Sequence, residues 1–421
     1  MASKTRIIAA IDLGSSKIAT LIAQVNVDAT TFETSVNIVG AATSNSKGVR
    51  KGQIVNIEEA VEATIVSVEA AERMAGYNLT EAYVSVGGGH IASQNSTGVV
   101  AVSDPDGEIS ASDVERVIDA ARAISHPGSR EIIHILPREF VVDGESGVRD
   151  PTGMTGVRLE VESHLITAST AALKNLARCI NEVGVDITEM VFSGLAASEA
   201  VLSSTEKELG CVLVDVGSGT TSVAAFVDGS LSYSGTIPIG ARNVTNDLAI
   251  GLRVSLDSAE KIKLALSNEE VWVNKEDQVD IASFGVNEEK RVSKRTLREG
   301  IIRPRLNEIF SMVRLDLERA GLANRIPSGA IITGGGAMTV GAVDSAKRML
   351  SLPVRIGKPK GVGGLIDYII DPAFATSVGL ILYGAKKGGG EISSSGFGKK
   401  IKLPGKGTIG KLIETIRDLL P

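Results

Sequence analysis

The chain has 421 residues, 43% hydrophobic and 22% charged, a globular composition long enough for two or more cores. No run of eighteen apolar residues could span a bilayer, and a net charge of −6 argues against a whole-protein affinity for nucleic acid or anionic lipid. Two cysteines, Cys179 and Cys211, and four scattered histidines lack metal-ligand spacing, so buried thiols in a reducing cytosol are expected rather than a disulfide framework.

Residues 1–6 carry no signal-peptide pattern and lead into "RIIAAIDLGSSKIATLIAQV", which reads as strand, tight turn, strand. Residues 57–75 place Ile57, Val61, Ile65 and Val68 at helical spacing, with Gly76 suited to the C-terminal cap. A strand, "EAYVSVG", and a strand-and-turn run, "HIASQNSTGVVAVSD", come next. A short helix in "SASDVERVIDAARAI" is expected to start on a Ser112/Glu115 capping box and to end before His126-Pro127. After a strand near 131–142, "HLITAS" leads into a helix, "TAALKNLARCINEVG", with Cys179 on its apolar face. "CVLVDVGSGTTSVAAFVDGSL" is a second strand–turn–strand. Residues 240–330 are mostly helical, with short strands in "EVWVNKEDQVDIASFGV". "GAIITGGGAMTVGAVDSAKRML" reads as strand, glycine turn, helix. Residues 388–406 lose apolar periodicity and read as a flexible linker.

The two strand–turn–strand units form an internal repeat, with Asp12 and Asp215 lying 203 residues apart. Each aspartate leaves a buried strand. Gly14, Ser15, Ser16 and Lys17 follow the first; Gly217, Ser218, Gly219, Thr220 and Thr221 follow the second. Glycines permit tight angles and close approach, N–H groups and a lysine bind phosphate oxygens, and carboxylates hold hydrated Mg²⁺. Either turn alone fits an ordinary hairpin. The pair at matching points of a repeat favours phosphate binding, and Gly334, Gly335 and Gly336 add flat backbone before a helix. The triplet Gly87-Gly88-Gly89 fits a strand-to-turn junction better than a phosphate loop.

Asp12-x-Gly-Ser, Asp215-x-Gly-Ser-Gly-Thr-Thr and Thr333-Gly-Gly-Gly, in that order, resemble the actin, Hsp70 and sugar-kinase superfamily. Within it the chain is similar to the FtsA cell-division family, through "YVSVGGGHIASQNSTGVV", "TGMTGVRLEVESHLIT", "IPIGARNVTNDLAIGL" and the closing amphipathic stretch. The resemblance implies a bilobed α/β fold of duplicated RNase H-like halves binding ATP and Mg²⁺, with Asp12 and Asp215 at the metal. It implies lobe one from 1–84, 166–193 and 361–387, and an inserted subdomain at 85–165. Lobe two would comprise 194–233 with 303–360, and 234–302. Glu260 and Lys263 match ribose-contacting positions, although a solvated helix pair is the alternative. Glu199 matches the position that orients attacking water, although a helix-surface glutamate fits equally well, so at most weak ATPase activity is implied. Gly240-Ala241 stand where paired glycines are usual in the family.

The family role implied is a self-associating adaptor on the cytoplasmic face of the membrane at the division site, which tethers FtsZ and meets other division proteins. In the basic stretch at 290–305, Lys294, Arg303 and Arg305 would meet the FtsZ C-terminal peptide; a solvated helix face is the alternative. No aromatics interleave there, which argues against nucleic acid. In "GTIGKLIETIRDLLP", Ile409, Leu412, Ile413, Ile416, Leu419 and Leu420 form one helical stripe, flanked upstream by lysines. Docking on its own domain is the alternative, but a linker of that length favours a membrane surface. Six aliphatic side chains give a gross ~10–15 kcal/mol. Ordering costs of ~1–2 kcal/mol per residue leave one copy a weak anchor and a polymer a firm one. Two other readings share the superfamily: a PilM-like pilus-assembly ATPase, which lacks such a tail, and a small-molecule kinase.

Overall fold

The computed structural model describes residues 4–27, 34–124, 127–268, 272, 277–285 and 291–387. The expected linker at 388–406 and amphipathic helix at 407–421, with all six of its stripe residues, lie outside the described residues, as does His126.

Two sheets share one topology. In the first, Lys4–Leu13 and Lys17–Val27 pair antiparallel, Thr34–Asn45 joins the second strand antiparallel, and Glu81–Val86 joins the first in parallel. Asp186–Phe192 extends that parallel side, and Gly363–Gly364 adds a short edge. In the second, Cys211–Val216, Thr221–Val227 and Ser230–Ile237 form the antiparallel meander; Ala330–Thr333 and Val354–Ile356 add the parallel strands. The internal repeat in the sequence is therefore a repeat of sheet architecture. Parallel pairing needs a crossover, which the helix Ile57–Ala75 supplies in the first half and three helices, Ala241–Leu252, Leu256–Leu266 and Arg303–Arg319, supply in the second.

The second sheet is buried on both faces, and its alternation divides two cores. Cys211, Leu213, Ala224, Phe226 and Ile331 face one; Val212, Val214, Val223, Ala225 and Ile332 face the other. The first core also takes in the first sheet and two helices, Ser193–Val201 and Ala375–Lys387. These helices are apolar nearly all round, as burial demands. Gly379 lets them touch: a Cβ there would meet the Ala196 carbonyl oxygen at 1.8 Å.

The helix Ile57–Ala75 ends on left-handed Gly76, as its sequence predicts, but its buried stripe differs. Ala60, Ala63, Thr64, Ser67, Val68 and Ala71 are buried, while Ile57, Val61 and Ile65 are half-buried. Small residues let the helix lie close to the sheet, where Ser67 donates to Thr20 Oγ1 at 2.9 Å.

Between the halves of the first sheet, Ala92–Ala101, Arg158–Ser169, Arg130–Val142 and Glu145–Val148 make a separate four-stranded sheet under the helix Ala111–Arg122. That helix begins earlier than expected: the capping box is Ser110 with Asp113, not Ser112 with Glu115. Asp113 is buried and accepts from Ser110 and Ser103, so its carboxyl sits well below the usual range. The inserted sheet leans on the strand Ser230–Ile237, where Ser93 donates to the Ser234 carbonyl at 2.6 Å and His164 Nε2 lies 3.0 Å from Ser234 Oγ. Farther on, Gln278–Asp280 pairs with Arg291–Ser293, but Ile281–Phe284 is a 3₁₀ turn instead of strand.

Candidate functional site

The strand ends and turns of both sheets meet around a cavity of about 300 Å³. Asp12 stands at the last turn of a buried strand, and Gly14, Ser15, Ser16 and Lys17 wrap back beneath it. Gly14 has no alternative, since a Cβ would lie 2.7 Å from the Lys17 carbonyl oxygen. In the second turn the Gly217 N–H donates to the Thr220 carbonyl at 2.9 Å, and Ser218, Gly219 and Thr220 face the cavity. The two turns touch: a Cβ on Gly219 would lie 2.6 Å from Ser15 Oγ.

Burial raises the carboxyl of Asp12, against which Ser85, Lys17 and Ser377 pull. Ser85 Oγ donates to it at 2.7 Å. Burial also pushes Asp215 up to about 6, opposed by Thr376, which donates at 2.9 Å, and reinforced by the charge of Asp12. Burial brings Lys17 down to about 8 despite Asp12 and Asp371, and its ammonium lies 3.1 Å from the centre of the Phe374 ring. Two desolvated carboxylates with hydroxyl partners, beside glycine-rich backbone, form a donor set suited to a hydrated divalent cation and phosphate oxygens.

Gly334, at φ +80°, lines the cavity beside the second turn, where a Cβ would clash with Asp215 Oδ1 and the Val216 carbonyl. Gly335 and Gly336 run into a single 3₁₀ turn to Met338, and the expected helix starts only at Ala342. Glu260 and Lys263 reach the cavity from one helix and share Thr245, whose hydroxyl donates to Glu260 and accepts from Lys263 at 3.0 Å. A 2.8 Å ion pair joins them at i, i+3 on the helix, with Lys263 buried and Glu260 half-buried at the cavity wall.

Thr221 departs from expectation. Its hydroxyl donates to the Ile239 carbonyl at 2.8 Å and the residue is fully buried, because position 221 begins the return strand and turns into the protein. Glu199 departs further. It lines a different pocket and pairs with Lys207 at 2.6 Å and with Lys386. Burial works against its charge, but the two ammonium groups hold its carboxyl below the usual range. It stands near the end of its helix, away from the cavity lining, so water activation there has no geometric basis.

The basic stretch is largely spoken for. Lys294 is buried, Arg303 pairs with Glu299, and Arg305 makes a forked pair with Asp247 at 2.7 and 3.1 Å. Sequence reasoning missed Ser85, Asp371, Phe374 and Thr376. Only Asp371 left a trace, in an Asp-Pro-Ala start whose carboxylate caps Ala373 N–H at 2.8 Å. Burial pushes His134 and His164 down to about 3, leaving them neutral packing groups. Among the described residues no three or more His, Cys, Asp or Glu side chains cluster as metal ligands, and no helix is long and apolar enough to cross a membrane.

Two family models match this sequence: "SHS2 domain inserted in FTSA" over residues 88–167 and "Cell division protein FtsA" over 212–379. The Cell division protein FtsA of Borreliella burgdorferi is 41% identical over 379 residues, covering 90% of each chain. A solved PilM-PilN type IV pilus biogenesis complex superposes with a TM-score of 0.62 at 15% identity, covering 90% of this chain and 98% of its own. MreB5 of Spiroplasma citri bound to ADP gives 0.53 at 13%, covering 93% and 99%. At those identities the likeness is one of fold.

Proposed function

This chain belongs to the FtsA family of cell-division proteins, and from that premise we propose that it binds ATP with Mg²⁺, self-associates on the membrane and tethers FtsZ filaments there. The fold is actin-like with the SHS2 insert, and the division role is that of the family. The observation that carries the nucleotide reading is the contact of the two turns, Ser15 against Gly219, in a cavity that both half-buried aspartates, Asp12 and Asp215, line. Asp12 and Asp215 would hold the hydrated cation. Lys17 and the N–H groups of both turns would bind phosphate oxygens, and the Glu260–Lys263 pair would meet the ribose. Bound Mg²⁺ would neutralise phosphate charge and relieve the repulsion between the two carboxylates.

The membrane and FtsZ parts of the proposal rest on the amphipathic pattern at 407–421 and on family membership. An acidic peptide arriving at Arg303 or Arg305 would have to exchange with Glu299 or Asp247, which favours a modest affinity. The likeness to the pilus protein is structural and lends no weight to a pilus role. The full chain is expected to co-sediment with vesicles containing anionic lipid when Mg-ATP is present and to retain an FtsZ tail peptide. A chain ending at residue 406 should stay in the supernatant. Equal sedimentation of both would sink the tether.

A further inference from the structure

Val49–Arg50 and Gln53–Ile54 pair as a miniature hairpin, with Arg50 opposite Gln53 and a two-residue turn, Lys51-Gly52. Both turn residues have positive φ, +49° and +70°. That combination belongs to a type I′ turn, whose first position favours Asn, Asp or Gly. Lysine there is strained, so something other than the turn must account for it.

The hairpin's position supplies a reason. The Gly52 N–H donates to Ser15 Oγ at 3.0 Å, fixing the hairpin on the first phosphate-type turn. The Lys51 Cα lies 3.2 Å from where a Cβ of Gly219 would stand, which puts it against the second turn as well. Lys51 is exposed and Gly52 lines the cavity. Among the described residues the cavity lining holds Lys17, in the first turn over Phe374, and Lys263, tied to Glu260 and Thr245; Lys51 would add a cation from the hairpin side to the phosphate contacts of Lys17.

Building on the nucleotide reading, we infer that Lys51 is a phosphate-binding residue, placed where both turns meet to contact the terminal phosphate of a nucleoside triphosphate. Its ammonium is a compact charge on a flexible four-carbon stem, suited to a group present in the triphosphate and missing from the diphosphate. A strained lysine at this point thus lets the cavity distinguish the two nucleotides.

The test compares Mg-ATP and Mg-ADP binding by calorimetry in the full chain and in Lys51→Asn, which keeps a residue suited to the turn. Lys51→Asn should melt no lower than the parent, bind ADP within about twofold of it, and lose about tenfold in ATP affinity. Lys51→Arg should recover part of that loss. If the parent binds both nucleotides and Lys51→Asn keeps the same ratio of affinities, the role of Lys51 is overturned while the nucleotide site stands. A parent that binds neither nucleotide overturns both.

Discussion

Asp12 and Asp215 occupy one cavity, and desolvation there raises the carboxyl of each above its ordinary range. The folded-state value of Asp215, about 6, lies above its unfolded value of 3.8. Its contribution to stability is therefore fully present below pH 3.8 and lost as pH rises through about 6. Without ligand, Asp215→Asn should be more stable than the parent at pH 7, by an amount on the order of 2–3 kcal/mol. The gap should close towards pH 4. Urea melts across that range check it, and a variant no more stable at pH 7 would contradict the assignment. On the proposed nucleotide site, the same substitution should weaken Mg-nucleotide binding, a trade of stability against ligand affinity. Both aspartates were visible in the sequence because each ends an apolar strand before a Gly-Ser turn. Their hydroxyl partners Ser85, Thr376 and Ser377 were not, since they come from distant segments with no motif of their own.

The elements that position this site are the two turns and the helix pair behind them. Ser193–Val201 and Ala375–Lys387 approach so closely that position 379 admits only hydrogen as a side chain. Gly379→Ala would drive a methyl group into the backbone of the partner helix, with an expected loss of ~1–3 kcal/mol or more. Gly300, exposed in the helical segment after Thr296 with only the Thr296 methyl nearby at 4.0 Å, is the contrasting case. Gly300→Ala should be neutral or stabilising by up to ~1 kcal/mol. If both variants unfold at the same urea concentration, the close-packing account fails. Helix starts were harder to place than helices. Ser110 and Ser112 are both plausible caps in "SASDVERV", and only the buried Asp113 pocket selects the first. Likewise, the largest side chains of residues 57–75 suggested a stripe, but the close approach of helix to sheet selects the small ones.

At the scale of the molecule, the site joins two duplicated halves, so a ligand there should stabilise both together. Mg-ATP at a hundred times its dissociation constant is expected to add ~2.7 kcal/mol to stability. EDTA should remove most of it. Because every lining residue lies between 12 and 376, a chain ending at 387 should show the same thermal shift, and its loss would mean the tail takes part in the site. By itself the sequence determined the duplication, the phosphate-type turns, the insert and the family, because these rest on local patterns: apolar alternation, glycines at fixed offsets and long recognisable segments. Only the tertiary structure decided that Ser15 touches Gly219, that Thr221 turns inward, that Glu199 is held by two lysines away from the cavity, and that the Lys51 hairpin closes on both turns. Those outcomes depend on which distant backbones come within a few ångströms of each other, and packing sets that distance, not the spacing of residues along the chain.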